Sequence, residues 1–115
     1  MRGRLSTHVL DAARGAPADG VRVELCRVSG EAIIAVKTVV TNVDGRTALL
    51  EGAAFAPGSY RIVFHVGEYY RRQGHPDAGR FLQNVPVDFS VDDPAAGYHV
   101  PLLVTPWSYT TYRGS

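Results

Sequence analysis

The sequence predicts an all-β fold, an antiparallel β-sandwich in a single domain over residues 1–115. Three observations lead there. Apolar and polar residues alternate with period two in Val21-Arg22-Val23-Glu24-Leu25, Tyr60-Arg61-Ile62-Val63-Phe64 and Val85-Pro86-Val87-Asp88-Phe89-Ser90-Val91, as in strands with one buried face. Turn-forming clusters separate these runs, and only one stretch of the chain, Gly67 to Gly74, departs from period two.

Taken in order, Leu5 to Leu10 opens the fold as a strand, and Gly15-Ala16-Pro17-Ala18-Asp19-Gly20 reverses the chain into Val21 to Leu25. Ile33 to Thr41 is continuously apolar and rich in β-branched residues, which suits a strand buried more fully than its neighbours. Asp44-Gly45 marks a type I′ or related turn that sets Arg46 at the head of a short strand, Thr47 to Leu50. Ala56-Pro57-Gly58-Ser59 precedes the strand Tyr60 to Phe64, and Gly67 to Gly74 reads as a short surface helix stopped by Gly74 and Pro76. Val85 to Val91, the turn Asp92-Asp93-Pro94, Tyr98 to Val104 and Trp107 to Tyr112 complete the set. Pro86 and Pro101 each lack a ladder donor, so their strands are expected at sheet edges or at bulges.

Composition narrows the function. At 115 residues and 12.5 kDa the chain can hold a core without staples. Twelve Lys and Arg against 11 Asp and Glu give a formal charge of +1, with no basic block. That argues against a nucleic acid or an anionic membrane as partner. The single cysteine, Cys26, can form neither an internal disulfide nor a Cys-rich metal site, and it fits a reducing cytosol. The apolar stretch between Arg4 and Asp11 is too short for a signal-peptide core, and no run approaches membrane-spanning length. A cytoplasmic protein is expected.

Four histidines are the first candidates for chemistry. In Tyr98-His99-Val100-Pro101-Leu102-Leu103-Val104, alternation sends Tyr98, Val100, Leu102 and Val104 to the core. His99, Pro101 and Leu103 then face outward, and an apolar leucine is an unexpected companion on a face meant for water. His8 is likewise outward between Thr7 and Val9. Each of the two is either a solvated strand histidine or part of a site. His65, at a strand end, and His75, after the helix stop, read as ordinary surface residues. Arg46 is either a solvated arginine or a bidentate clamp for a planar anion or carbonyl. Cys26 has no base near it in sequence, and no nucleophile elbow, phosphate loop, zinc helix or Cys/His cluster is present. The last four residues, Tyr112-Arg113-Gly114-Ser115, directly follow a strand-like run. They set an aromatic, a guanidinium and a permissive backbone beside a carboxylate, which marks a segment that is held rather than frayed. From these residues alone, enzyme and binding module stay level.

Together, Leu5-Ser6-Thr7-His8-Val9-Leu10-Asp11, Thr41-Asn42-Val43-Asp44-Gly45-Arg46, Tyr98-His99-Val100-Pro101-Leu102-Leu103 and Tyr112-Arg113-Gly114-Ser115 resemble the 5-hydroxyisourate hydrolases, the enzyme branch of the transthyretin family. The resemblance runs through the chain in order and in compatible spacing. It implies a transthyretin-like sandwich of two four-stranded sheets, with a short helix after the fifth strand. It also implies a homotetramer, a dimer of dimers whose sites lie between dimers, and no metal or organic cofactor.

The implied reaction opens 5-hydroxyisourate: water attacks C6, the N1–C6 amide bond breaks, and 2-oxo-4-hydroxy-4-carboxy-5-ureidoimidazoline results. By the resemblance His8, Arg46, His99 and Ser115 are catalytic, and Arg46, Tyr112, Arg113, Gly114 and Ser115 bind substrate. Either His8 or His99 is then the base. The alternative is a transthyretin-like carrier that binds a flat aromatic ligand without catalysis; the joint presence of His8, Arg46, His99 and the terminal motif favours the enzyme. The chain departs from the family pattern at Gly97, where many members have histidine, at Gln83-Asn84, and at Trp107-Ser108.

Overall fold

A computed structural model of the protein describes residues Gly3 to Gly114. Nine strands and one helix follow in the order β1 (Arg4–Asp11), β2 (Ala16–Pro17), β3 (Arg22–Ser29), β4 (Ala32–Val40), β5 (Arg46–Glu51), β6 (Gly58–Phe64), α1 (Val66–Arg72), β7 (Val85–Val91), β8 (Tyr98–Val104) and β9 (Tyr109–Thr111). They form two facing sheets. One is ordered β4-β3-β6-β7; in the other, β2-β1-β8-β9 are joined by β5 on β1. The second sheet therefore holds five strands rather than four, because the turn after β1 donates two residues: Leu10 pairs with Pro17 and Asp11 with Ala16. Without that two-residue strand, the helix follows the fifth strand as expected. No helix among the described residues is long and apolar enough to cross a membrane.

Alternation puts the inward residues of both sheets into one core. Leu5 and Val9 of β1, Val23 and Leu25 of β3, Tyr60, Ile62 and Phe64 of β6, and Leu102 of β8 are wholly buried. Each such side chain stabilises the fold by roughly 1.5–3 kcal/mol through the apolar area it removes from water. Helix α1 is not a purely surface element. It closes one end of the sandwich with Val66, Tyr69 and Tyr70 buried, and leaves Arg71 and Arg72 outside. The two tyrosine hydroxyls reach Asp11, which is 0% exposed, at 2.8 Å each. Asp11 Oδ1 also accepts the backbone N–H groups of Ala13 and Arg14. One carboxylate thereby ties the end of β1 to the helix.

Three expectations need correction. Strand β4 is not buried more fully than its neighbours: Ile33, Ile34 and Val40 are 46%, 51% and 57% exposed. It is the outermost strand and pairs only with β3, so its β-branched run reflects strand preference rather than burial. Lys37 pairs with core Leu25 and so shares the inward face, and a bulge falls at Leu25/Cys26. An exposed lysine on the edge strand and a bulge are devices that keep an apolar edge from recruiting another strand. Pro86 lies on the edge strand β7 as expected, whereas Pro101 lies in β8 between β1 and β9. Its missing donor falls where pairing with β9 is interrupted, between the His99–Gly114 bridge and the Leu102–Thr111 pair. Its carbonyl takes the Thr111 hydroxyl instead, at 2.8 Å.

His65 is the third correction. It is 9% exposed, donates from Nε2 to Glu24 at 2.6 Å and accepts from Arg22 at Nδ1, 3.2 Å away. Its partners lie about forty residues away in sequence, so nothing local announces its burial.

Candidate active site

The core-facing residues of β1, namely Leu5, Thr7 and Val9, are buried, so Ser6 and His8 project from the opposite face. The neighbouring strands set their outward residues beside them. Antiparallel β5 pairs Arg46 with His8 and Ala48 with Ser6; parallel β8 pairs His99 with Ser6 and Pro101 with His8. His8, Arg46 and His99, which lie on three distant stretches of sequence, thus meet on one face of one sheet. The two imidazoles have ring centroids 6.4 Å apart.

The loop that presents Arg46 is built by Asn42. Its side-chain oxygen accepts the backbone N–H groups of Asp44 at 2.9 Å and of Arg46 at 3.0 Å, and the Gly45 N–H returns to the Asn42 carbonyl. Gly45 has φ 74, while no residue other than glycine has positive φ among the described residues. The turn is therefore not type I′, which needs positive φ at both central residues, but a related form with a left-handed glycine. Gly45 is irreplaceable on steric grounds too, since a Cβ there would lie 2.3 Å from the Val9 carbonyl oxygen. That close approach lets the Gly45 carbonyl accept the Val9 N–H at 2.7 Å, locking the Arg46 loop to β1.

These elements enclose an open cleft of about 550 Å³ lined by Arg4, Ser6, Asn42, Arg46, Tyr98 and His99, among others. His8 does not line it; it stands one pair further along β1, at the flank. A second recess of about 600 Å³ shares His99 as a wall and is lined on its far side by Gly97, Tyr112, Arg113 and Gly114. The Gly114 N–H donates to the His99 carbonyl at 2.6 Å. A Cβ on Gly114 would come 2.8 Å from His99 Cδ2, so glycine is what allows the tail to lie against the ring. Arg113 is turned aside: its guanidinium stacks 4.1 Å from the Tyr98 ring centroid and donates to the Gly97 carbonyl at 3.0 Å. Gly97 has φ 73, a conformation that a side chain rarely adopts, which accounts for glycine at this departure. Tyr112 is 57% exposed, and Ser115 lies outside the described residues.

Electrostatics separate the two histidines. Burial holds the His99 pKa below the ordinary histidine value, and the nearby Arg46, His8 and Arg4 push it the same way. At neutral pH His99 is an uncharged base at the wall of a cleft rimmed by arginines. Such a cleft suits a flat, oxygen-rich molecule on which negative charge develops. No group of three or more His, Cys, Asp or Glu side chains among the described residues is arranged to hold a metal ion.

Ser6 and Asn42 are the contributors that single-residue reading overlooked. Ser6 shares the face of His8 by strand parity, so the alternation itself pointed to it; Asn42 had only its position before a turn.

Comparison with known proteins adds an independent line. Residues 5–114 match the HIUase/Transthyretin family. The 5-hydroxyisourate hydrolase 2 of Rhizobium meliloti (strain 1021) is 51% identical over 117 residues, covering 98% of this chain and 97% of that protein. Among solved structures, 5-hydroxyisourate hydrolase of Klebsiella pneumoniae matches with a TM-score of 0.82 and 34% identity, covering 98% of this chain and 99% of that one. The crystal structure of (S)-allantoin synthase matches with a TM-score of 0.92 and 44% identity over 99% of this chain, which spans 44% of that longer protein.

Proposed function

The chain belongs to the HIUase/Transthyretin family, and on that footing we propose that it is a hydrolase that opens 5-hydroxyisourate. The observation that carries the proposal is the convergence of His8, Arg46 and His99 on one sheet face, beside a cleft walled by His99. Full-length identity of 51% to a 5-hydroxyisourate hydrolase supports the same reading.

In the proposed mechanism His99 takes a proton from water as the water attacks C6. Its lowered pKa keeps it neutral at physiological pH, with a lone pair free to take the proton. The C6 oxygen gains negative charge in the tetrahedral intermediate, and Arg46 stabilises it with its fork of donors. When the N1–C6 bond breaks, N1 leaves as the better base and takes a proton, for which His8 at the flank is the donor. The proton that His99 took from water then restores His8 through solvent, and the new C6 acid loses its remaining proton to solvent as the carboxylate, so both histidines return to their starting states. Gly114 packs against the His99 ring from one side, Arg113 anchors the segment on Tyr98 and Gly97, and Tyr112 lines the recess beyond.

The test is direct. 5-Hydroxyisourate is generated freshly from urate with urate oxidase, and its ultraviolet decay is followed with and without the protein against spontaneous decay. Acceleration is expected; saturable binding of a flat ligand with no acceleration would instead identify a carrier. Gly114→Ala is expected to lower kcat on the order of 10- to 100-fold, because the new methyl displaces the His99 ring while the cleft itself remains. The same decay assay, read as kcat against KM, checks it.

The working assembly is proposed to be a homotetramer, a dimer of dimers. Strands β7 and β9 are unpaired edges in the two facing sheets, and Pro101 and Leu103 lie on the site-bearing face of β8. Sizing chromatography at assay concentration should give four copies of the 12.5 kDa chain, and a fully active monomer would overturn the assembly. A cytoplasmic location accords with the lone, buried Cys26.

A further inference from the structure

Beyond His8, Arg46 and the terminal segment, one side chain touches the proposed base directly. Ser6 Oγ lies 2.9 Å from His99 Nδ1, in a partly buried contact between residues 93 apart in sequence. The contact follows from the fold, because parallel pairing of β1 with β8 sets Ser6 directly beside His99. The ring is therefore held at two places: Ser6 at Nδ1, and Gly114 packed against Cδ2. With Nδ1 turned to Ser6, Nε2 is the nitrogen left to the cleft that His99 lines.

We propose that Ser6 is the positioning residue of His99: its hydroxyl oxygen accepts the Nδ1 proton and so selects the tautomer whose Nε2 lone pair faces the cleft. This rests on the reading of His99 as the base. Imidazole has one proton for two nitrogens, and which nitrogen carries it is set by the partner of the other. An acceptor at Nδ1 keeps that proton in place before and after Nε2 takes one from water, so no ring flip interrupts turnover.

The identity of this partner has a second consequence. A carboxylate in the same position would hold the tautomer and also stabilise the imidazolium, raising the pKa. Serine holds the tautomer without the charge. The charged groups acting on His99 are Arg4 and His8 from β1 and Arg46 from β5, and all of them oppose its protonation. Arg113, from the chain after β9, is spent on Tyr98 and Gly97. A neutral orienting partner therefore does nothing to offset the lowering of the His99 pKa, and the base stays unprotonated at neutral pH.

The experiment uses three Ser6 variants of the full chain and two readouts. Ser6→Ala should lower kcat about tenfold, the equivalent of one hydrogen bond, with KM little changed. Ser6→Thr, which keeps a hydroxyl on a strand position that tolerates β-branching, should restore most of the rate. Ser6→Asp should raise the His99 pKa and move the acidic limb of the kcat profile to higher pH with it. The second readout needs no substrate: imidazole ¹⁵N shifts of His99 should show protonated Nδ1 and bare Nε2 in the wild type, and a mixture of tautomers in Ser6→Ala. An unchanged tautomer and rate in folded Ser6→Ala would overturn the role of Ser6 while leaving the hydrolase reading intact. Loss of the hydrolase reading would show separately, as no acceleration by the wild type, whereas an undiminished rate in His99→Asn would overturn the assignment of His99 as base.

Discussion

Replacing His99 by Asn is expected to lower kcat by roughly 10²- to 10⁴-fold, the usual contribution of a positioned general base. Asparagine is close to histidine in size and can still meet Ser6 with a hydrogen bond, but it has no nitrogen that can take a proton from water at neutral pH. Folding should be nearly unaffected, since the Gly114 N–H bonds the backbone carbonyl at this position, not the ring. The pH profile adds a signature. Burial, with Arg46, His8 and Arg4 nearby, lowers the His99 pKa, so wild-type activity should fall only as pH drops below the ordinary histidine range. In His99→Asn that acidic limb should vanish along with the rate. His8→Asn should lower the rate over a similar range while keeping the acidic limb, which belongs to His99. The decay assay from pH 5 to 9 on the three proteins checks both assignments, and a His99→Asn enzyme of near-wild-type rate would remove this histidine from the mechanism.

Asp11→Ala should cost the most stability. The substitution removes the acceptor of two buried tyrosine hydroxyls and two backbone N–H groups. Tyr70 keeps a second acceptor in the Val104 carbonyl, and Tyr69 keeps the Arg14 guanidinium only as a donor. Leaving a buried donor unsatisfied costs about 1–3 kcal/mol, so a loss of about 3–5 kcal/mol is expected in all. Neither hydroxyl can escape by ionising, because burial, the largest cause of the raised tyrosine pKa values, persists without Asp11. Urea denaturation at fixed protein concentration measures the loss. Asp11→Asn, which keeps one acceptor oxygen, should lose distinctly less. Equal stability of Asp11→Ala and wild type would mean that water takes over these bonds, against the full burial of the site.

What could be read from the chain was set by the range of each interaction. Strand parity is local, so it located the core faces of β1, β6 and β8 and with them the outward direction of His8 and His99. Burial at an edge is not local. The apolar run of β4 has the composition of a central strand, and only Lys37 within it signalled otherwise. His65 sank because Arg22 and Glu24 meet it from another strand, and no neighbour in sequence records that. For the site, His8, Arg46 and His99 were legible as a motif set, whereas the Ser6–His99 contact depends on the parallel register of β1 and β8. Pro101 shows the same limit: its tolerance in a central strand depends on where β9 stops pairing.

That parallel register also sets when the site can come into being. Closing β1 onto β8 joins residues 93 positions apart, the kind of long loop that is slow to find its partner and forms only after nearer pairs have ordered. The β3–β4 hairpin, and β6 that pairs with β3, can assemble as the ribosome delivers them, whereas His99 emerges only after all three. Competence for chemistry therefore arrives in one late step, so that partly made or partly folded chains hold the pieces of the catalyst without its reactivity.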